Sequence, residues 1–351
     1  MFNRHTSILF FTSFTLITPK CDPKSGKIHP TRVRAGVTLL TNVFLLFVIV
    51  FSLYKRHQLI YKIFKNKMLI FLDITSDLSG YIWFLMASIQ SWTKRSHWNV
   101  FLIQLGELDQ AQQGHLHLEL ILFHVTYIII ASICFASWII GATSQYIPTY
   151  YYISRMVLLY LEALITLTCI KLTQHFKQQY KGLLGRLLEN DPIKEIQKHF
   201  IRIAEALDSY NELFGGHMFY IYFVVGIHYL TYFARVAHFI LGNIYEVELG
   251  AIVLVKTLIC ITVALVELIA LTYSCHTTEK LSGELLKTCY SRQAPSKEQQ
   301  EGLARLLQVM AHRRTRFSAA DVFDVNKSAM FALLSGVTSY FLVVLQSQQT
   351  F

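Results

Sequence analysis

Charged side chains are scarce in this chain: they make up 15% of its 351 residues, against about 25% in an ordinary soluble domain. Proline and glycine are also scarce, and six prolines with 16 glycines are too few for a disordered, fibrous or linker-rich chain. Hydrophobic residues instead make up 53%. A soluble monomer of this composition would expose large apolar patches, which soluble monomers rarely tolerate. The composition therefore argues against a soluble enzyme and predicts a multi-pass membrane protein.

Seven apolar segments are long enough to cross a bilayer as helices, for which about 20 residues are needed. They are residues 35–53, 68–92, 119–142, 151–174, 217–241, 251–274 and 326–346. The sequence thus predicts an all-α membrane protein with seven transmembrane helices. A further apolar segment, residues 8–17, is too short to span. We interpret it as interfacial or poorly ordered, with a signal peptide as the alternative.

Lysine and arginine are distributed unevenly between the segments that join these helices. With the N-terminus inside the cell, 22 of them lie on the inner side and five on the outer side, all five in residues 54–67. Because cytoplasmic loops carry such an excess, we expect a cytoplasmic N-terminus and, after seven spans, an extracellular C-terminus. The net charge of +10 follows from this bias and from attraction to the lipid bilayer, so no nucleic-acid partner is expected.

The inner loops 175–216 and 275–325 carry helical patterns. In the first, apolar residues recur at helical spacing on both sides of a break at residues 190–192: Phe176, Tyr180, Leu184, Leu187, Leu188, Ile196, Phe200, Ile203, Leu207, Tyr210 and Phe214. In the second, one face of a helix carries Leu303, Leu306, Leu307 and Met310. We expect spans four to six to continue into the cytoplasm as long helices that pack against this amphipathic helix, whereas residues 93–118 are treated as a loop.

These patterns divide the chain into four parts. They are a cytoplasmic N-terminal segment (1–34), a six-helix membrane bundle with cytoplasmic helices (35–274), a cytoplasmic loop with an amphipathic anchor helix (275–325), and a last helix (326–346).

Motifs of catalysis and metal binding are missing. His115 and His117 have no third ligand nearby, which makes a metal site improbable. There is no phosphate-binding glycine loop, serine nucleophile elbow or HExxH motif. The six cysteines fall in spans or inner segments, so a disulfide framework is not expected. We therefore expect no catalytic residues, no cofactor and no metal.

The last span carries a pattern of its own. Residues 338–347 read Thr-Ser-Tyr-Phe-Leu-Val-Val-Leu-Gln-Ser, in which Tyr340 and Gln346 enclose five apolar residues. This resembles the C-terminal signature of the insect gustatory receptor family, a Thr-Tyr pair, five apolar residues and Gln-Phe. Ser339 replaces the Thr, and Ser347 replaces the Phe. Phe341 stands where sugar-sensing members typically carry an acidic residue, so the resemblance implies a divergent, non-sugar (bitter-type) member.

The resemblance implies a ligand-gated, non-selective cation channel in the plasma membrane of sensory neurons. Its partners would be a small-molecule tastant and same-family subunits in a tetramer, with the last helices lining one pore. On a helix, Ser339, Leu342 or Val343, and Gln346 share one face. A ring of aliphatic side chains can gate a pore by dewetting, and a ring of amides can replace part of a cation's hydration. The alternative is ordinary helix packing, with Gln346 hydrogen-bonded to lipid headgroups.

Ionisable residues inside a span cost roughly 2.5–3.5 kcal/mol each, so they need partners or water. The ligand-binding candidates in the outer half of the bundle are Asp73, Tyr151, Tyr152, Arg155, Tyr232 and Arg235. Aromatic rings with a few polar groups suit small organic ligands, and the resemblance implies a pocket that opens outward among spans two to six. The alternative is that the carboxylates neutralise the arginines while the tyrosines form an interfacial belt.

Two other function classes remain. A G-protein-coupled receptor would place its C-terminus inside, and its Asp/Glu-Arg-Tyr and Asn-Pro-x-x-Tyr signatures are absent. A transporter or membrane enzyme would show internal repeats or broken helices, whereas glycine and proline interruptions within the spans are few.

Overall fold

The computed structural model describes residues 32–58, 67–108, 122, 124–129, 132, 153–189, 191–240, 247–292 and 297–349, and nearly all of them are helical. The helices are α1 (Arg32–Arg56), α2 (Lys67–Thr93), α3 (Arg95–Leu108), α4 (Ile153–Leu188), α5 (Ile193–Ile240), α6 (Val247–Ser291), α7 (Lys297–His312) and α8 (Lys327–Gln349). An antiparallel hairpin, β1 (Ser318–Ala319) with β2 (Phe323–Asp324), lies between α7 and α8.

Five of these helices, α1, α2, α4, α5 and α6, are long and apolar enough to cross a membrane. They coincide with predicted spans one, two, four, five and six. The last predicted span corresponds to α8, although its apolar stretch, Lys327–Val343, is shorter than a typical span. The predicted third span lies outside the described residues except for 122, 124–129 and 132, and the apolar segment 8–17 lies outside them entirely.

Helices α4, α5 and α6 are much longer than a bilayer requires. They have 36, 48 and 45 residues, which corresponds to roughly 54–72 Å at about 1.5 Å per residue. The hydrocarbon core of a membrane is about 30 Å thick. The three helices are therefore long enough to extend beyond a membrane, as predicted for spans four to six. We call the part of the molecule formed by residues 95–108, 175–216 and 275–325 the base.

The centre of the base is built from the apolar stripes of α4 and α5. Its fully buried members include Phe176, Tyr180, Ile196, Phe200, Ile203, Tyr210 and Phe214. The predicted amphipathic helix is present as α7, with Leu303, Leu306 and Met310 buried. Leu188 does not belong to this core, since 66% of it is exposed. It is the last residue of α4, at the start of the turn that leads into α5, and the predicted stripe extended one residue too far.

The break between α4 and α5 lies where the sequence predicts it. Helix α4 ends at Leu188, and α5 begins at Ile193. Pro192 disfavours helical geometry in the residue before it, and the Arg186 Nε atom donates to Asp191 Oδ2 at 2.7 Å across the turn.

The described segments form no disulfide: Cys169, Cys275 and Cys289 are free and buried.

The treatment of residues 93–118 as a loop is wrong for its first half, which forms α3. Trp98, Phe101 and Leu105 are buried, and their spacing places them on one helical face. That face packs against α5, where the ring centroids of Trp98 and Phe214 lie 5.4 Å apart. In the sequence, charged and polar residues stand between these apolar positions and form the exposed side of the helix. The apolar pattern of α3 is therefore not recognised from the sequence. Residues 109–118 lie outside the described residues.

Candidate functional site

The predicted pore face of α8 is exposed in the single chain. Ser339 and Gln346 are exposed, and the exposed fractions of Leu342 and Val343 are 53% and 61%. Tyr340, which belongs to the family motif, is 49% exposed. The structure therefore places these side chains on a surface that is open to lipid or to another subunit.

The opposite side of α8 packs against the apolar part of α5. The aromatic rings of Phe233 and Phe341 are stacked, with centroids 4.6 Å apart. Nearer the start of α8, a Cβ atom at Gly226 would lie 3.2 Å from Leu333 Cδ1. The glycine thus lets α8 approach α5 closely.

The hairpin that precedes α8 continues the same contact. Phe323 packs edge-on against Tyr222, with ring centroids 5.0 Å apart, and also lies beside Phe219. The contact positions on α5 are separated by three, four and seven residues and so form one stripe: Phe219, Tyr222, Gly226 and Phe233. One face of α5 therefore supports both the hairpin and α8.

The predicted ligand-binding residues are only partly described. Asp73 lies on α2, Arg155 on α4, and Tyr232 and Arg235 on α5, but the structure describes the backbone of these residues and not their side chains. Tyr151 and Tyr152 lie outside the described residues. Whether the six side chains converge therefore stays a prediction.

The structure adds a polar aromatic contact that sequence reasoning missed. Tyr160 Oη lies 3.1 Å from His124 Nδ1, and the Tyr127 and Tyr160 rings meet edge-on with centroids 5.0 Å apart. His124 and Tyr127 are one turn apart in the predicted third span. That spacing, within an apolar segment, is the sequence signal that would have selected them.

A second missed cluster joins α2 to α5 at the border of the base. The indole N–H of Trp83 donates to His217 Nδ1 at 2.9 Å, and the Trp83 ring stacks on Tyr220 with centroids 5.0 Å apart. Because Nδ1 accepts, the neutral His217 ring carries its proton on Nε2. His217 is buried, so this contact fixes the relative position of the two helices.

Comparison with known proteins gives three findings. A family model described as "7tm Chemosensory receptor" matches residues 5–351. Two structures of the insect olfactory receptor OR5 from Machilis hrabei are similar in fold. One is the receptor in complex with eugenol (TM-score 0.67), and the other is the receptor (TM-score 0.61). Each shares 10% sequence identity, and each match covers 98% of this chain and 97% of that chain. No curated protein matches the chain in sequence.

Proposed function

The chain belongs to the 7tm chemosensory receptor family, and from this premise we propose that it is a gustatory receptor of the non-sugar type that acts as a ligand-gated, non-selective cation channel. Its ligands would be small extracellular tastants, and its location the plasma membrane of sensory neurons. The observation that carries the proposal is the exposed face of α8 with Ser339, Leu342, Val343 and Gln346.

This face suits assembly around a central axis. Four copies of α8 would bury Leu342 and Val343, which a single chain leaves more than half exposed. A ring of such aliphatic side chains closes a pore by dewetting when it is narrow. Gln346 follows one turn later and would place amides next to that constriction. Small outward shifts of the four helices would then admit water and ions.

The ligand site would lie in the outer half of the bundle, among spans two to six. The Tyr160–His124–Tyr127 contact combines aromatic rings with polar atoms, which suits small organic ligands. The receptor from Machilis hrabei was solved in complex with eugenol, a small organic molecule. We propose a ligand of the same size class for this chain, without assigning its identity.

Alanine substitutions test this pocket. Changes at Asp73, Tyr151, Tyr152, Arg155, Tyr160, Tyr232 and Arg235 are expected to shift the ligand concentration for half-maximal current by about tenfold for at least some members, since a lost charged or aromatic contact costs roughly 1–3 kcal/mol. Val157→Ala, at a half-exposed position on α4, is the matched control. Unchanged dose–response curves across the whole set, with normal surface levels, would place the pocket elsewhere.

The channel itself is tested by recording currents from cells that express the chain, alone and with candidate co-receptors, while a panel of small organic compounds is applied. The expected result is a cation current that a subset of compounds evokes within milliseconds and that persists when G-protein signalling is blocked. A response that disappears under that block would favour the G-protein-coupled alternative.

A further inference from the structure

The segment that joins α7 to α8 is attached to all three long helices of the base. Thr315 Oγ1 lies 2.7 Å from Tyr180 Oη on α4 and donates to Ser282 Oγ on α6 at 2.8 Å. The backbone N–H of Phe317 donates to Glu279 Oε1, also on α6, at 3.3 Å. The contacts with α5 come immediately before and within the hairpin.

Asn211 on α5 uses both ends of its amide to hold this segment. Its Nδ2 donates to the backbone carbonyl of Arg316 at 2.9 Å, and its Oδ1 accepts from the backbone N–H of Ser318 at 3.0 Å. An amide presents a donor and an acceptor side by side, and an extended strand offers the complementary pair. Other side chains of this size cannot make both bonds.

Gly215, one turn further along α5, lets the same strand come into backbone contact. A Cβ atom at this position would lie 3.0 Å from both Ala320 N and Ser318 O. Such distances are shorter than ordinary van der Waals contact, and the atoms concerned belong to the backbone, which cannot rotate away. The neighbouring Gly216 faces open space, with no atom within 4 Å of its Cβ position. The requirement for glycine is therefore specific to position 215.

The hairpin couples the strand that is attached to α5 with the start of α8, because it is short and its residues are hydrogen-bonded to one another. The N–H of Asp321 donates to Ser318 Oγ at 2.9 Å, and the N–H of Val325 donates to the Phe317 carbonyl at 2.7 Å. Asn326 then caps α8 by accepting from the N–H of Ala329 at 2.9 Å. No long or unbonded linker separates the strand on α5 from the first turn of α8.

We propose that Asn211 and Gly215, which we call the seat, are positioning residues for the gate: they fix the start of α8 on α5 and thereby hold the closed arrangement of the pore face. The proposal rests on the proposed channel function. From Lys327 to Gln346 the helix rises about 28 Å at about 1.5 Å per residue. A tilt of about 5° at the seat would therefore move Gln346 by about 2.5 Å, on the scale of a water molecule.

The proposal is tested first by the ratio of ligand-evoked to ligand-free current per surface channel. Asn211→Ala removes two hydrogen bonds and Gly215→Ala forces the strand away, so each should lower this ratio by roughly five- to thirtyfold. Asn211→Asp keeps the acceptor but loses the donor and should give a smaller decrease. Gly216→Ala should match the wild type. Fewer surface channels with an unchanged ratio would mean that the seat serves folding alone and would overturn the proposal.

A second measurement does not depend on channel activity. Amide hydrogen exchange of residues 317–325 in the purified protein should be slow in the wild type and in Gly216→Ala, and faster in Asn211→Ala and Asn211→Asp. If the wild type shows no ligand-evoked current but the exchange pattern holds, the proposed function fails while the seat stands as an attachment. Equal exchange in all variants would overturn the seat itself.

Discussion

Ala320 and Asp321 lie at the tip of the hairpin with backbone φ angles of 53° and 57°. This left-handed region is uncommon for residues with a Cβ atom and costs of order 1 kcal/mol for alanine. Two consecutive residues of this kind characterise the tight turns that join antiparallel strands, where asparagine and glycine are usual. The N–H of Asp321 gains a bond to Ser318 Oγ, whereas Ala320 has no side-chain polar group with which to offset the strain.

Ala320→Gly is therefore expected to stabilise the protein. The gain should be about 0.5–1 kcal/mol, because glycine adopts positive φ without the steric cost of a Cβ atom. Thermal unfolding of the detergent-solubilised protein, followed by loss of the monodisperse peak in size-exclusion chromatography, measures the change. Ala319→Gly is the control, since Ala319 is buried in β1 and should lose stability. A decrease for Ala320→Gly would show that the methyl group contributes packing that outweighs the strain.

Gln346 is the residue at which the pore hypothesis is most directly tested. In four copies it would lie beside the apolar turn from Leu342 to Leu345, where an amide ring replaces part of a cation's hydration. Gln346→Ala is expected to change basal leak or ion selectivity in whole-cell recordings. Ser347→Ala should have a weaker effect on both. Currents from Gln346→Ala that equal those of the wild type in leak, selectivity and block would favour a lipid-facing side chain.

Helix α3 contributes to the base through a single apolar face. Phe101 is fully buried, and its ring lies 6.1 Å from that of Phe214 on α5. Phe101→Ala should lower the free energy of unfolding by about 3–5 kcal/mol, as large-to-small changes in well-packed cores do. Ile103→Ala, at a position 58% exposed on the same helix, should cost much less. Melting temperature and surface level of the two variants measure this, and equal losses would contradict the assigned face.

For helices and strands, the sequence predicts features that follow a regular spacing along one segment. It does not predict contacts between segments that are distant in the chain. The stripe from Phe176 to Phe214 predicts the long helices because its period is that of a helix over many turns. The apolar face of α3 has only four buried positions, so charged neighbours mask it. No pattern in the sequence around the seat indicates its role. Asn211 and Gly215 acquire their role only because a strand more than 100 residues later is placed against them.

The same distinction applies to the candidate site. Ser339, Leu342, Val343 and Gln346 are predictable as one face because helical spacing alone brings them together. A pocket requires several helices to converge, and no pattern along one helix specifies which residues of another it meets. Tyr160 could be singled out by its depth in the fourth span. Its contact with His124 could not, since the two residues lie on different segments.

The orientation of the chain in the membrane is a property of the whole molecule, and no single helix reveals it. Lysine and arginine divide 22 to five between the two sides if the N-terminus is inside. The inner side then contains the base, which carries charged pairs such as Arg202–Glu107 and Arg313–Glu205. Insertion retains positive charge on the cytoplasmic side. The five basic residues in 54–67 oppose this assignment, but they are outnumbered.

With seven spans, this orientation places Phe351 outside the cell. An epitope tag after residue 351 should therefore be labelled by antibody on intact cells, whereas a tag before Met1 should be labelled only after permeabilisation. A tag inserted between Gln293 and Ser296, in the segment between α6 and α7, provides an internal control and should also require permeabilisation. Labelling of the C-terminal tag only after permeabilisation would contradict the topology. It would also contradict the pore hypothesis in its present form, because Gln346 would then lie at the inner end of α8. The orientation of a G-protein-coupled receptor would be favoured instead.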